Sequence, residues 1–135
     1  MKRLLVCLLL VGVVGCGTSP SPEPPPVETD TDRAMREFNN GVSHADLGQY
    51  DEAIADYTEA IRIDPEFADA FNNRGYAYDE LGRYDKAIAD YTAAIQLKPD
   101  DTIPYVNRGI AYSQMGDKAK ADADFAKAKE LGYKP

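Results

Sequence analysis

The stretch ADAFNNRGYAYDELGRYDKAIADYTAAIQLKPDD, residues 68–101, decides the fold, because its spacing of small and aromatic residues is met again 34 positions earlier and 34 positions later. A fixed period of this length is typical of proteins built from repeated structural units. The period predicts units at 34–67, 68–101 and 102–135. The positions that recur are Gly41, Gly75 and Gly109, Gly48, Gly82 and Gly116, Ala53, Ala87 and Ala121, Tyr57, Tyr91 and Phe125, and Ala60, Ala94 and Ala128.

Each unit is predicted to form two helices joined by a short turn. Apolar and small residues recur at helical spacing in two stretches, and a glycine such as Gly82 separates these stretches. Glycine supplies the positive φ that ends a helix, and Pro65 and Pro99 stop the second helix before the next unit begins. The sequence therefore predicts an all-α chain of three helical hairpins, in which Gly75 allows two helices to approach closely.

The pattern of the middle unit resembles the tetratricopeptide repeat, a helix-turn-helix unit of 34 residues. The resemblance covers 102 of the 135 residues and implies three repeats stacked as a short right-handed solenoid. This sequence departs from the family pattern at Glu37, at His44 and at Tyr133. The residues that carry the resemblance are Gly75, Tyr78, Leu81, Gly82, Tyr84, Ala87, Tyr91, Ala94 and Pro99.

Residues 1–15 have the layout of a secretory signal peptide, with Lys2 and Arg3 before an apolar run. The run is about 11 residues long, and a membrane-spanning helix needs roughly 20. The stretch Val13-Val14-Gly15-Cys16 resembles the processing box of bacterial lipoproteins. This resemblance implies that Cys16 becomes the first residue of the mature chain and carries a diacylglycerol. The alternative is an ordinary secreted chain in which the cysteine has no such role.

Residues 16–33 are predicted to be a disordered linker, since they are rich in proline, serine, threonine and acidic residues around Pro24-Pro25-Pro26. At about 3.1 Å per residue, such a linker reaches on the order of 50 Å. Acyl chains on Cys16 would hold the repeats at a membrane of the bacterial cell envelope, facing the periplasm or the exterior. In the sorting rule of bacterial lipoproteins, an aspartate after the cysteine favours the inner membrane. Gly17 lacks this signal, which favours the outer membrane.

The charge and the cysteines of the mature chain exclude several classes of function. Removal of Lys2 and Arg3 leaves 13 basic and 23 acidic residues, a net charge of −10, whereas nucleic-acid binding needs a basic patch. Cys7 is removed and Cys16 is lipidated, so no disulfide or thiolate metal site is expected. His44 is expected to be a packed or half-exposed side chain, and the sequence has no phosphate loop or metal-ligand spacing. We therefore expect no enzyme, no cofactor and no metal.

The family resemblance also implies where a partner binds. In this family the first helices of the repeats line a concave groove that holds peptides. The asparagines Asn39, Asn73 and Asn107 form a ladder with the same period, and a side-chain amide can pair with a peptide backbone. Alternatively, these amides tie one helix to its neighbour. The groove positions are Met35, Phe38 and Val42 in the first repeat, Asp69, Asn72 and Tyr76 in the second, and Ile103, Val106 and Ile110 in the third.

Two charge patterns predict how the repeats stack and end. The aspartates Asp56 and Asp90 are each followed, after 18 residues, by Arg74 and Arg108, and Asp124 continues the series. This spacing predicts ion pairs between repeats, with surface solvation as the alternative. In the third repeat, charged residues replace isoleucines and a tyrosine of the earlier repeats, which predicts a polar cap, with repeat drift as the alternative. The replacements are Lys118, Asp122 and Lys129.

A basic clamp for the terminal carboxylate of heat-shock chaperones is known in this family, but the residues here do not favour it. Phe38, Val42 and Ile103 stand where the clamp needs Lys, Asn and Lys, and only Asn73 fits. We expect a membrane-anchored adaptor that binds a protein or peptide partner in its groove. The alternative is a structural subunit of the cell envelope, which self-associates through Met35, Phe38 and their neighbours.

Overall fold

Six α-helices make up the part of the chain that the structure describes. The computed structural model describes residues 27–135 together with Gly15 and Gly17, and this part contains no strand. The all-α prediction is confirmed, whereas the predicted signal peptide, the predicted lipidation site Cys16 and most of the predicted linker lie outside the described residues. None of the described helices is long and apolar enough to cross a membrane. The helices are α1 (Asp30–Asp46), α2 (Tyr50–Ile63), α3 (Ala68–Glu80), α4 (Tyr84–Leu97), α5 (Thr102–Gln114) and α6 (Lys118–Glu130).

Consecutive helices pair into three hairpins. α1 packs on α2, α3 on α4 and α5 on α6, while α3 also packs on α2 and contacts both α1 and α5. The turns inside the hairpins place Gly48, Gly82 and Gly116 at φ values of 72°, 69° and 80°, a conformation that suits glycine because it has no Cβ atom. α2 ends at Ile63 and α4 at Leu97, each two residues before a proline. The predicted breaks are therefore in place.

The first helix begins earlier than the sequence pattern indicates. The composition assigns residues 16–33 to the linker, whereas α1 begins at Asp30. The Thr29 side chain accepts a hydrogen bond from the Asp32 backbone, and the Asp32 carboxylate accepts one from the Thr29 backbone, both at 3.1 Å. This reciprocal cap satisfies backbone groups that a helix end leaves unpaired. The acidic residues that read as linker therefore start a helix, where the helix dipole favours negative charge.

A glycine and an aromatic ring form the contact between the two helices of each hairpin. A Cβ atom on Gly75 would lie 2.8 Å from Cε1 of Tyr91 and 3.2 Å from the carbonyl oxygen of Ala87. Any larger residue would therefore push the helices or the ring apart. The prediction that Gly75 lies at a helix contact is confirmed. The equivalent pairs are Gly41 with Tyr57 and Gly109 with Phe125.

Arg74 and Arg108 each pair with an aspartate of their own repeat, so the prediction that they pair with the preceding repeat is wrong. Arg74 donates from Nε and Nη2 to the two carboxylate oxygens of Asp90, each at 2.8 Å. Its Nη1 donates to Thr58 Oγ1 of the preceding repeat at 3.0 Å. A spacing of 16 residues allows a bidentate pair across the hairpin, and a bidentate pair is stronger than a single hydrogen bond. Arg108 repeats the arrangement with Asp124 at 2.8 Å and with Thr92 at 2.9 Å.

In the first repeat, a histidine contacts the aspartate in place of the arginine. Asn40 stands at the arginine position, and Nδ1 of His44 lies 2.6 Å from Oδ2 of Asp56. The side chains of His44 and Asp56 are 38% and 22% exposed, whereas those of Arg74 and Asp90 are 17% and 8% exposed. The first repeat therefore holds its aspartate through a single contact that water reaches more easily.

An apolar cavity remains open on the last repeat, so the predicted polar cap is incomplete. The cavity has a volume of about 570 Å³. Phe125 is 38% exposed, whereas Tyr91 at the same place in the middle repeat is fully buried. The predicted capping charges Lys118, Asp122 and Lys129 are exposed, but they leave the ring of Phe125 uncovered. The residues that line the cavity include Val106, Phe125, Ala128, Lys129 and Tyr133.

Candidate functional site

The first helices of the three repeats, α1, α3 and α5, form the surface that we call the groove. α3 contacts both of the other helices. Residues three or four apart in a helix are neighbours, so the predicted positions of each helix share one face. An open apolar surface of this kind is typical of interaction sites. The predicted positions that are between 42% and 47% exposed are Met35, Tyr76, Ile103 and Ile110.

Three other predicted groove residues, Phe38, Val42 and Val106, are half-buried. The ring centroid of Phe38 lies 5.7 Å from that of Tyr57 and 4.8 Å from that of Phe67. Phe67 comes directly before α3. Phe38 therefore packs within the first repeat, against the residue that precedes the second repeat, and only part of its surface is left to the groove.

The asparagine ladder takes part in hydrogen bonds between repeats. Nδ2 of Asn107 donates to Oδ1 of Asn72 at 3.1 Å, and Nδ2 of Asn72 donates to Oδ1 of Asn73 at 3.3 Å. Burial raises the pKa of Tyr57, and a hydrogen bond from Asn73 acts in the opposite direction. Asn73 and Asn107 thus link neighbouring repeats, which is the structural role that the sequence leaves open. Asn39 is the exposed member of the ladder.

Two tyrosines and a glutamate form a cluster at the edge of the groove that no repeat spacing reveals. Oη of Tyr50 donates to Oε2 of Glu80 at 3.3 Å, and the rings of Tyr50 and Tyr76 meet edge to face with centroids 6.4 Å apart. Burial raises the pKa of both hydroxyls, and the charge of Glu80 and its hydrogen bonding raise both pKa values further. The one sequence signal is that Glu80 stands four residues after Tyr76 and so shares its helix face.

Asp79 places a second carboxylate beside Glu80. Its Oδ1 atom is buried and has no hydrogen-bond partner among the described residues. Burial, followed by the charge of Glu80, raises the pKa of Asp79 above its ordinary value. A buried charge without a partner is unfavourable, so the ionised Asp79 side chain lowers the stability of the fold.

The nine predicted groove positions carry one acidic residue, Asp69, and no lysine or arginine. Asp69 is paired, with its Oδ1 atom 2.9 Å from Nζ of Lys98. Asp46 and Glu80 are the last residues of α1 and α3, and they have no such cationic partner in the part of the chain that the structure describes. In the same part, no group of three His, Cys, Asp or Glu side chains could hold a metal ion. The apolar surface of the groove therefore has negative charge beside it, at the ends of α1 and α3.

Solved structures with this arrangement of helices support the assignment of the fold. The first TPR of Spaghetti (RPAP3), bound to the HSP90 peptide SRMEEVD, matches with a TM-score of 0.75 and 29% identity over 78% of this chain and 84% of that chain. The TPR2B domain of yeast Sti1, in a complex with pHsp70, matches with a TM-score of 0.72 and 26% identity over 73% of this chain and 79% of that chain. MamA matches with a TM-score of 0.72 and 32% identity over 75% of this chain and 59% of that chain.

Family models match most of the described chain. Two models of the tetratricopeptide repeat match, one over residues 38–102 and the other over residues 104–131. No curated protein matches the chain. The repeated glycines, the hairpin turns and these matches agree, and the chain belongs to the tetratricopeptide repeat family.

Proposed function

We propose that the chain is a lipid-anchored adaptor that binds a segment of another protein in its groove. The observation that carries this proposal is the set of exposed aliphatic and aromatic side chains on the groove, Met35, Tyr76, Ile103 and Ile110. Removal of apolar surface from water contributes about 25 cal/mol per Å² and is the main driving force of protein association. Such a role needs no chemical step and no cofactor.

The relatives support a peptide as the partner, whereas the residues of this groove do not favour an acidic chain end. The domains of Spaghetti and Sti1 are seen with an HSP90 peptide and with pHsp70. A clamp for a terminal carboxylate needs basic side chains, and Phe38 and Ile103 stand at its lysine positions here. The unpaired charges of the groove are acidic and would repel a carboxylate. An internal segment of a partner therefore fits this groove better.

The proposed anchor is a diacylglycerol on Cys16, which would place the repeats at the bacterial cell envelope, with Gly17 favouring the outer membrane. Radioactive palmitate fed to growing cells should label the wild-type protein. The Cys16→Ser variant should lose the label and leave the membrane pellet. Cys7→Ser is the matched control and should keep both. Labelled or fully pelleted Cys16→Ser protein would contradict the lipoprotein assignment.

The groove is best tested at its exposed residues, because the asparagine ladder also holds the repeats together. We expect a crosslinked pull-down from native membranes to capture a partner with the wild type and lose it with Ile103→Ser/Ile110→Ser. The matched control is Leu47→Ser/Met115→Ser, which changes two apolar residues at the hairpin turns that are 73% and 49% exposed. If the folded groove variant captures the same proteins as the wild type, the groove is not the binding site.

Self-association is a second candidate, favoured by the open cavity beside Phe125. A helix from a second copy would cover this cavity. On the N-terminal face, which the sequence favours for stacking, Phe38 already packs against Phe67. Light scattering on residues 17–135 separates the two candidates. A mass that rises with concentration, and returns to that of a monomer with Phe125→Asp, supports self-association, whereas a constant monomer excludes it.

A further inference from the structure

The middle repeat places polar side chains between two apolar parts of the groove. At the level of Tyr76, the neighbouring repeats present Val42 on one side and Ile110 on the other. Because α3 contacts both α1 and α5, a segment that crosses the three repeats meets an aliphatic, a polar and again an aliphatic surface.

The polar middle has the chemistry of a site for a cationic side chain. Tyr76 is 45% exposed, and its ring meets that of Tyr50, whose hydroxyl donates to Glu80. Aromatic faces attract ammonium and guanidinium groups, and a carboxylate beside them adds a charge-assisted hydrogen bond.

The chain's own basic side chains in the middle repeat are engaged elsewhere. Within the described residues, neither Asp79 nor Glu80 forms an ion pair with any of them. The charge of this part of the groove is therefore left for a partner to balance. The engaged side chains are Arg74 with Asp90, Arg83 with Asp51, Lys98 with Asp69, and Lys86 over the ring of Tyr78.

We infer that the partner segment places a lysine or arginine side chain against Glu80 and Tyr76, while aliphatic side chains on either side of it contact Val42 and Ile110. This inference rests on the proposed function and names the chemistry of its partner. Packed helices lie about 8–10 Å apart, and a segment in the polyproline II conformation advances about 3.1 Å per residue with three residues per turn, so every third side chain faces the same side. The aliphatic residues therefore stand three positions before and three positions after the basic residue.

A random dodecapeptide library displayed on phage, selected on the immobilised full-length protein in detergent, tests this inference. We expect the enriched peptides to share a lysine or arginine with an aliphatic residue three positions away on each side. An enriched peptide, synthesised with blocked ends, should bind the Glu80→Gln variant about tenfold more weakly than the wild type, because a charged hydrogen bond is lost. Glu52→Gln, which removes an exposed charge from α2, is the matched control and should not change binding.

The outcomes separate this inference from the function on which it rests. Enriched peptides without a basic residue, or equal affinity for Glu80→Gln and the wild type, overturn the inference and leave the groove as a binding site. Absence of any enriched peptide, or binding that survives Ile103→Ser/Ile110→Ser, overturns the proposed groove and this inference with it. Thermal unfolding of each variant shows that a loss of binding is not a loss of fold.

Discussion

The middle repeat and the two outer repeats follow the same 34-residue pattern, but each outer repeat lacks one contact that the middle repeat has. The middle repeat has both a fully buried Tyr91 and the bidentate pair of Arg74 and Asp90. The first repeat holds its aspartate through His44, and the last repeat leaves Phe125 38% exposed. The pattern therefore sets the contacts within a hairpin, while the neighbouring repeats decide how strongly those contacts are held.

We expect the largest effect from a substitution that breaks the glycine contact of the middle repeat. Gly75→Leu should lower the free energy of unfolding by about 3 kcal/mol, because the new side chain overlaps a ring that has no space to move. Gly109→Leu should cost about 1 kcal/mol, since Phe125 can move into the open cavity. Urea unfolding of both variants measures the difference. Equal losses would show that the cavity gives the last repeat no freedom.

We expect the next largest effect from a substitution that breaks the ion pair of the middle repeat. Arg74→Ala should lower the free energy of unfolding by about 2 to 3 kcal/mol, because it leaves the buried Asp90 without its cation. Arg83→Ala is the control and should cost less than about 1 kcal/mol, since its pair with Asp51 is exposed. If urea unfolding gives the same loss for both variants, the burial of the pair does not matter.

We expect a smaller effect from a variant that gives the first repeat the residues of the middle one. The double variant Asn40→Arg/His44→Tyr should raise the free energy of unfolding by about 1 kcal/mol, since Asp56 gains a bidentate partner. The two single variants complete a double-mutant cycle. We expect a favourable coupling, because Asn40→Arg alone must compete with His44 for the same carboxylate. Simple additivity would mean that the two positions do not share Asp56.

We expect the smallest effect from a substitution that removes the unpartnered carboxylate of the middle repeat. Burial and Glu80 raise the pKa of Asp79 in the folded chain, so its contribution to stability is present below the ordinary value and is lost as the pH rises through the raised value. Asp79→Asn should therefore stabilise the fold at pH 7 by less than about 1 kcal/mol. Urea unfolding should show that this advantage shrinks at about pH 3.5, and an advantage that does not change with pH would contradict the charge as its cause.

The fold was predictable because its cause is periodic. Glycines such as Gly75 and Gly82 and rings such as Tyr91 recur with the repeat, and each has a local reason to stand where it does. The start of α1 was not predictable from composition, because the cap that Thr29 and Asp32 form lies among residues that otherwise read as linker.

The contacts between helices were harder to predict than the helices. Arg74 has an aspartate 18 residues before it, Asp56, and another 16 residues after it, Asp90. The packing of α3 on α4 brings Asp90 to Arg74, and the sequence alone does not show this. The pair of His44 with Asp56 had one signal, the asparagine at position 40 that breaks the arginine series. The cluster of Tyr50 and Glu80 joins two repeats at positions that are not equivalent, so periodicity cannot reveal it.

The central claim, that the groove holds a partner segment, is tested most directly by site-specific photo-crosslinking in cells. The photoreactive residue p-benzoylphenylalanine replaces Tyr76 on the groove or, as the control, the exposed Ala89 on α4. The account predicts a crosslink to one partner protein from position 76 and none to that protein from position 89. A partner that crosslinks from position 89 and not from position 76 would contradict the claim and place binding on the outer face.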